Sequence, residues 1–205
     1  MSRFNTFFRR TINKKNRARL KNTDFSLIAS NCNGCILSHD LGLKFRSPFV
    51  NLWLYPGDFL KYLKNMDHYR NCDLEFITEE GYDHPIGKLD DIVIYFQHYH
   101  SEEEARNKWM ERTTRINKDN LYIIFTDTDG CTEDQLREFD SLPFKNKVVY
   151  THKSFPDISS AVYIPGFESS DAGMAFNYIN NFSGKRFYDV FDYVSWFNEN
   201  IQINK

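Results

Sequence analysis

Two polar strings follow the most apolar stretches of this chain and carry most of its candidate chemistry. Residues 121–125 (LYIIF) lead into Thr126-Asp127-Thr128-Asp129-Gly130, and residues 92–96 (IVIYF) lead into Gln97-His98-Tyr99-His100. A D-x-D pair behind a buried strand offers carboxylate oxygens to Mn²⁺ or Mg²⁺, which complete their shells with substrate phosphates and water. That arrangement would place Asp127 and Asp129 against the diphosphate of a nucleotide sugar. Its structural alternative is a capped β-to-α turn, because Asp and Gly are good turn residues. His98 and His100 alternate, so in extended chain they share a face, open to metal binding or acid–base work. Hydrogen-bonded structure is the other reading of that pair.

A third string, Ser30-Asn31-Cys32-Asn33-Gly34, follows residues 25–29 (FSLIA) and precedes a helix-like run to Leu41. Strand, small polar turn and helix together leave backbone N–H groups free to hold an anion. The glycine fingerprint of a dinucleotide site or P-loop is incomplete here. Cys32 and Cys35 form a C-x-x-C at the helix start, where a thiolate is favoured. This opens a redox reading, although the preceding chain is too short for another βα unit. Zinc would need a second ligand pair. His39 on this helix is read as approaching the same edge. Arg115 and Asn117, at the end of a later helix, complete the candidate substrate-binding set. The chain has neither a G-x-S-x-G elbow nor an H-E-x-x-H pair.

These residues need elements to hold them. Apolar β-prone runs predict strands at 25–29, 73–77, 92–96, 121–125, 147–151 and 161–164. Helical spacing predicts a helix started by Asp58 and running to about Tyr69, with Phe59, Leu60, Leu63 and Met66 as its core face. Ser101 with Glu104 forms a capping box for the next helix, and Thr132 caps another over 132–139. Phe187, Val190, Phe191, Val194 and Phe197 mark a final helix. Residues 79–89, with Gly81, Pro85 and Gly87, predict a loop. Strands alternating with helices define an α/β, Rossmann-like single domain with a mostly parallel sheet, expected over 23–205. In such folds ligands lie beyond the carboxyl ends of the strands. If 92–96 and 121–125 are parallel neighbours, the histidines and aspartates share that edge.

The bulk composition narrows the class. A length of 205 residues suits one large domain or two small ones, and the 17% aromatic content argues against disorder. Residues 1–23 hold eight of the 26 Lys/Arg and none of the 28 Asp/Glu, leaving 18 basic against 28 acidic residues, a charge of −10. So acidic a body argues against nucleic-acid binding, which needs broad phosphate neutralisation. Residues 3–20 predict a helix with Phe4, Phe7, Phe8 and Ile12 on one side and cations around the rest. That is the pattern of a helix on an anionic membrane. A loose basic tail, or phenylalanines packed on the protein's own body, are the alternatives. Four sparse cysteines, no secretory pattern and no apolar run of about 18–20 residues lead to an expectation of a cytoplasmic protein. Residues 1–22 would then provide peripheral contact with the inner membrane face.

An ordered set of strings carries two resemblances. IIFTDTDGCT resembles the haloacid-dehalogenase motif hhhhDxDGT, which implies Asp127 as a phosphoryl-accepting nucleophile, but Cys131 intervenes before Thr132. The string also lies mid-chain with no acidic pair evident downstream. SNCNG, SPFVNLWLYPGDFLKYL, PIGKLDDIVIYFQHYHSEEEARNKWMERTTRIN, TDTDGC and KNKVVYT together resemble a bacterial family labelled exopolysaccharide biosynthesis proteins, encoded among capsule and O-antigen genes beside glycosyltransferases. The resemblance spans residues 22–198 and implies a part in making or decorating a surface polysaccharide. It brings no established reaction, and Cys35 departs from its pattern. The expectation is a transferase acting on a nucleotide- or lipid-linked sugar. In it Asn31–Gly34 and Arg115 hold phosphate, Asp127 and Asp129 hold metal or substrate, and His98 or His100 is the base. A non-catalytic adaptor that binds glycan or recruits glycosyltransferases is the rival, and a metal-dependent phosphatase the third reading.

Overall fold

The computed structural model describes residues 3–167 and 171–199. Residues 1, 2 and 200–205, which the expected domain limits include, lie outside that set. The first half comprises α1 (Arg3–Arg19), β1 (Ser26–Ala29), α2 (Cys32–Leu41), α3 (Pro56–Lys64), α4 (Met66–Asn71), β2 (Glu75–Ile77), β3 (Ile86–Leu89) and β4 (Ile92–Tyr95). The second comprises α5 (Glu102–Thr113), β5 (Leu121–Thr126), α6 (Glu133–Ser141), β6 (Lys147–Thr151), β7 (Ala161–Tyr163) and α7 (Tyr193–Asn198).

Period-two burial explains the main sheet. Along β5, Tyr122 and Ile124 pack on one side while Ile123 and Phe125 pack on the other, and Leu27/Ile28 and Val148/Val149 divide likewise. Strands apolar on both faces need cover on both. The sheet is parallel, in the order β1-β5-β6-β7, as the α/β expectation requires. One face takes α3, α5 and α6 with Phe59, Trp109 and Phe139; the other takes α2 and α7 with Leu37, Trp196 and Phe197.

Four local expectations need correction. Residues 92–96 do not form a parallel neighbour of β5: β4 belongs to a separate antiparallel sheet ordered β2-β3-β4. The supposed loop at 79–89 contains β3. Gly87 belongs in that strand because a Cβ there would meet Leu74 at 2.6 Å and Phe96 at 2.7 Å. A two-residue connection with Asp90 at φ 53° then closes the β3–β4 hairpin, a turn whose left-handed residue Asp tolerates. The helix expected to run to Tyr69 breaks at Asn65 (φ −138°, ψ 49°) into α3 and α4. Pro56 occupies the first position of α3, while Asp58 accepts a hydrogen bond from the Val93 N–H at 3.0 Å. At the C-terminus, Phe187–Val190 is a 3-10 turn, and α7 starts afresh behind the Asp192 cap.

The basic N-terminal segment is a helix, with its polarity reversed relative to ordinary packing. Asn5, Arg9, Asn13 and Asn16 recur at helical spacing and face the body. Arg9 is only 3% exposed, whereas Phe4, Phe7 and Phe8 face solvent. Asp40 at the end of α2 is the hub: its Oδ2 accepts from Arg9 Nε at 2.8 Å, Arg186 Nε at 2.9 Å and the Tyr188 hydroxyl at 2.9 Å. Its Oδ1 accepts from Asn13 at 2.9 Å. Asn16 donates to the Tyr193 hydroxyl at 2.7 Å. Hydrogen bonds and ion pairs, rather than phenylalanine burial, dock α1 on α2 and the C-terminal segment. Among the described residues no helix is long and apolar enough to cross a membrane.

Candidate functional site

The carboxyl ends of β1 and β5 open into a cleft of about 910 Å³. Its aromatic wall is built on β4. Trp53 pairs with Tyr95 through two backbone hydrogen bonds, of 3.0 and 2.9 Å, and its ring stacks on Tyr95 at 4.1 Å and 8°. Leu54 N–H then donates to the Ser30 carbonyl at 3.1 Å, tying this wall to the end of β1. Tyr82 and His84 pack on the same tyrosine and also line the cleft. Glu79 accepts the Tyr95 hydroxyl at 2.9 Å. Gln97 and His98 continue the wall, Thr128 and Asp129 come from the end of β5, and Asp171, Gly173 and Phe176 close the far side.

Asn31 and Cys32 meet this cleft at the start of α2, and their neighbours in the turn support them. The Asn31 side chain caps the helix by accepting from the Asn33 N–H at 3.0 Å. Asn33 is buried beneath Thr126 and Gly173, donating to both at 3.3 Å. Gly34 lets α2 approach the sheet, since a Cβ there would collide with the Ala29 Cβ. Asn33 and Gly34 therefore shape the turn without lining the cleft. Cys35 lies at its inner end. A hydrogen bond from Cys32 pulls the Cys35 thiol down to about 7 against the opposing effect of burial, while Cys32 is pushed up.

The D-x-D string is divided by its backbone. Asp127 is buried, and its Oδ2 accepts a hydrogen bond from His152 Nδ1 together with the His152 N–H at 3.4 Å. Asp129, with φ 53°, turns the other way to line the cleft near Asp171. Burial and the Asp171 charge raise the Asp129 carboxyl above its ordinary range, against a hydrogen bond with Thr128. The two aspartates thus serve different partners rather than chelating side by side. Among the described residues, no three His, Cys, Asp or Glu side chains gather as a metal-ion set. Burial, reinforced by Asp127, pushes Cys131 up to about 12, so it is a poor nucleophile.

The other expected residues are dispersed. His98 lines the cleft, but His100 is exposed outside it, its N–H donating to Glu104 at 3.0 Å. His39 sits three residues along α2 from Ile36, which lines the cleft, but it is not itself among the lining residues and its side chain is 82% exposed. Arg115 pairs with Glu111 and donates to the Phe45 carbonyl at 3.3 Å. Asn117 binds the Asp24 carbonyl and Ser26 Oγ at 2.9 and 2.8 Å. Both therefore lie at the amino ends of the strands, opposite the cleft. Sequence reasoning missed Trp53, Tyr82, His84, Asp171 and His152. Only His152 left a readable signal: it follows β6 directly, as Asp127 follows β5.

A parallel α/β sheet with a cleft at its carboxyl edge defines the structural class. Residues 3–198 match the family model described as Domain of unknown function (DUF1919), and the chain belongs to that family. It is 50% identical over 194 residues to an uncharacterized protein of Haemophilus influenzae, covering 94% of this chain and 91% of that one.

Proposed function

We propose that the cleft binds a nucleotide- or lipid-linked sugar and that the protein is a transferase of surface-polysaccharide assembly. The observation that carries the sugar reading is the wall of Trp53 and Tyr82, backed by Tyr95 and continued by Gln97 and His98, with polar Asn31 and Asp129 lining the same cleft. Aromatic ring faces pack against the C–H faces of sugar rings, while a few placed polar groups select hydroxyl and phosphate positions. The polysaccharide context rests on the resemblance carried by HYHSEEEARNKWMERTTRIN and its companion strings.

In this reading His98 is the base within the cleft. Asp127 orients His152 and fixes which ring nitrogen carries the proton. Asp129, with Asp171 nearby, would hold Mn²⁺ or Mg²⁺. A hard cation can rest on one or two carboxylates when substrate phosphates complete its shell, and when bound it would neutralise charge on the leaving diphosphate. The test is nucleotide release from a panel of nucleotide sugars, followed with wild type, Asp129→Asn and His98→Ala. The reading expects release with one donor class and its loss in both variants. Donor binding without release would leave a glycan-binding adaptor, and release unaffected by either substitution would overturn the site.

A further inference from the structure

We propose that α1 and the hairpin beside it form a surface that inserts into an anionic bilayer. This surface is separate from the cleft. The hairpin is defined by the Tyr178–Arg186 bridge and the Ile179 N–H to Lys185 carbonyl hydrogen bond of 2.9 Å. Its tip is held by Asn180, whose Oδ1 accepts from the N–H groups of Phe182 and Ser183 at 2.9 and 2.8 Å. Asn5 of α1 clamps that tip from both sides. It donates to the Asn180 carbonyl at 2.7 Å and accepts from the Gly184 N–H at 3.1 Å. Gly184 (φ 66°) fits there because a Cβ would lie 2.6 Å from the Arg9 nitrogen. Helix and hairpin therefore present one shared face.

That face is apolar and positive. Phe7 is 66% exposed and Phe182 69%, with Phe4, Phe8 and Ile179 exposed beside them. Phe4 and Phe182 meet at 6.0 Å between ring centroids, and Phe7 and Phe8 at 5.5 Å. At about 3.6 residues per turn, Lys14 and Lys15 continue the phenylalanine stripe, and Arg10 flanks it; all three cations are exposed. Neither residues 3–19 nor residues 174–188 contain an acid, although residues 24–205 carry a net charge of −10. Charge complementarity selects the occupant. An anionic lipid surface attracts this face and repels the rest of the molecule, whereas a second copy meeting it face to face would place like charges together. Phenylalanines rimmed by Lys and Arg are the composition of an interfacial anchor.

Flotation of the full chain with vesicles tests the proposal, using phosphatidylcholine alone and phosphatidylcholine mixed equally with phosphatidylglycerol. Wild type is expected to float with the anionic vesicles and far less with the neutral ones. Each cation near the surface is worth about fivefold in partitioning, so Lys14→Glu with Lys15→Glu should reduce flotation by more than tenfold. Phe7→Ser with Phe182→Ser should reduce it as strongly. These exposed side chains contribute little to folding, so an unchanged Tm would confirm that the surface alone was altered. Wild type left at the bottom of the gradient, or serine variants that float equally well, would overturn the inference. Self-association without vesicle capture, seen by sedimentation, would overturn it in favour of a second copy.

Discussion

Asp129 is the side chain on which binding and stability oppose each other. Its raised pKa means that the folded protein holds this proton more tightly than the unfolded chain does. The associated stability is present below the unfolded pKa and is lost as pH rises through the folded one. Ionised Asp129 therefore opposes folding at neutral pH, and Asp129→Asn should keep or raise Tm while abolishing donor binding. A variant that melts lower would instead make the residue structural. If the cleft uses the carboxylate, affinity should climb with pH through a midpoint above the usual carboxylate range, measurable by titration calorimetry. Trp53→Ala should weaken sugar binding by about tenfold, the order of a lost aromatic contact. Asp127 and Asp129 were legible as polar residues at a strand end. Their opposite directions were not, because the positive φ of Asp129 and the pairing of Asp127 with His152 are set by tertiary contacts.

At the scale of elements, α1 shows what pattern alone cannot decide. Its phenylalanine stripe was visible in the sequence, as were its cations, but spacing does not say which stripe meets the protein. The hub at Asp40 decides it, drawing Arg9 and Asn13 inward. Burial pushes the Asp40 carboxyl upward, but the Arg9 and Arg186 charges with hydrogen bonds from Asn13 and Tyr188 outweigh it and hold the pKa low. The stability this gives is present above the unfolded carboxylate pKa and is lost as pH falls through the folded one. Acidification below about pH 4 should thus release α1, seen as faster amide exchange there before the sheet opens. Asp40→Asn leaves Arg186 facing a neutral partner while Arg9 keeps its ion pair with Asp189, and should cost about 1.5–3 kcal/mol; protection of α1 unchanged by it would contradict this docking. Gly34→Ala should cost about 1–3 kcal/mol in denaturant unfolding, because α2 must move off Ala29. The parallel strands were legible because their residues are apolar on both faces. β3 was not, since a Gly between Ile86 and Lys88 reads as loop until Leu74 and Phe96 are seen to fill its space.

For the whole molecule, the large insertion between β1 and β5 explains both the success and the shortfall of the sequence reading. It carries α3, α4, the antiparallel sheet and α5, and delivers Trp53, Tyr82 and His98 to an edge that the main sheet alone would leave bare. The carboxyl-edge rule located the cleft without locating that wall. Arg115 and Asn117 were misplaced for a related reason: a helix returning to a parallel strand ends at the amino edge, so residues just before β5 point away from the site. Two sheets together thus assemble the one cleft proposed to hold the donor. A thermal-shift comparison of wild type and Asp129→Asn, across nucleotide sugars with and without Mn²⁺, tests it most directly. A donor at about 100-fold its Kd adds roughly 2.7 kcal/mol, or a rise of about 5–10 °C for a chain of this size. A donor-binding cleft gives that rise with one donor class in wild type and loses it in the variant. An equal rise in both proteins, or none with any donor, would contradict it.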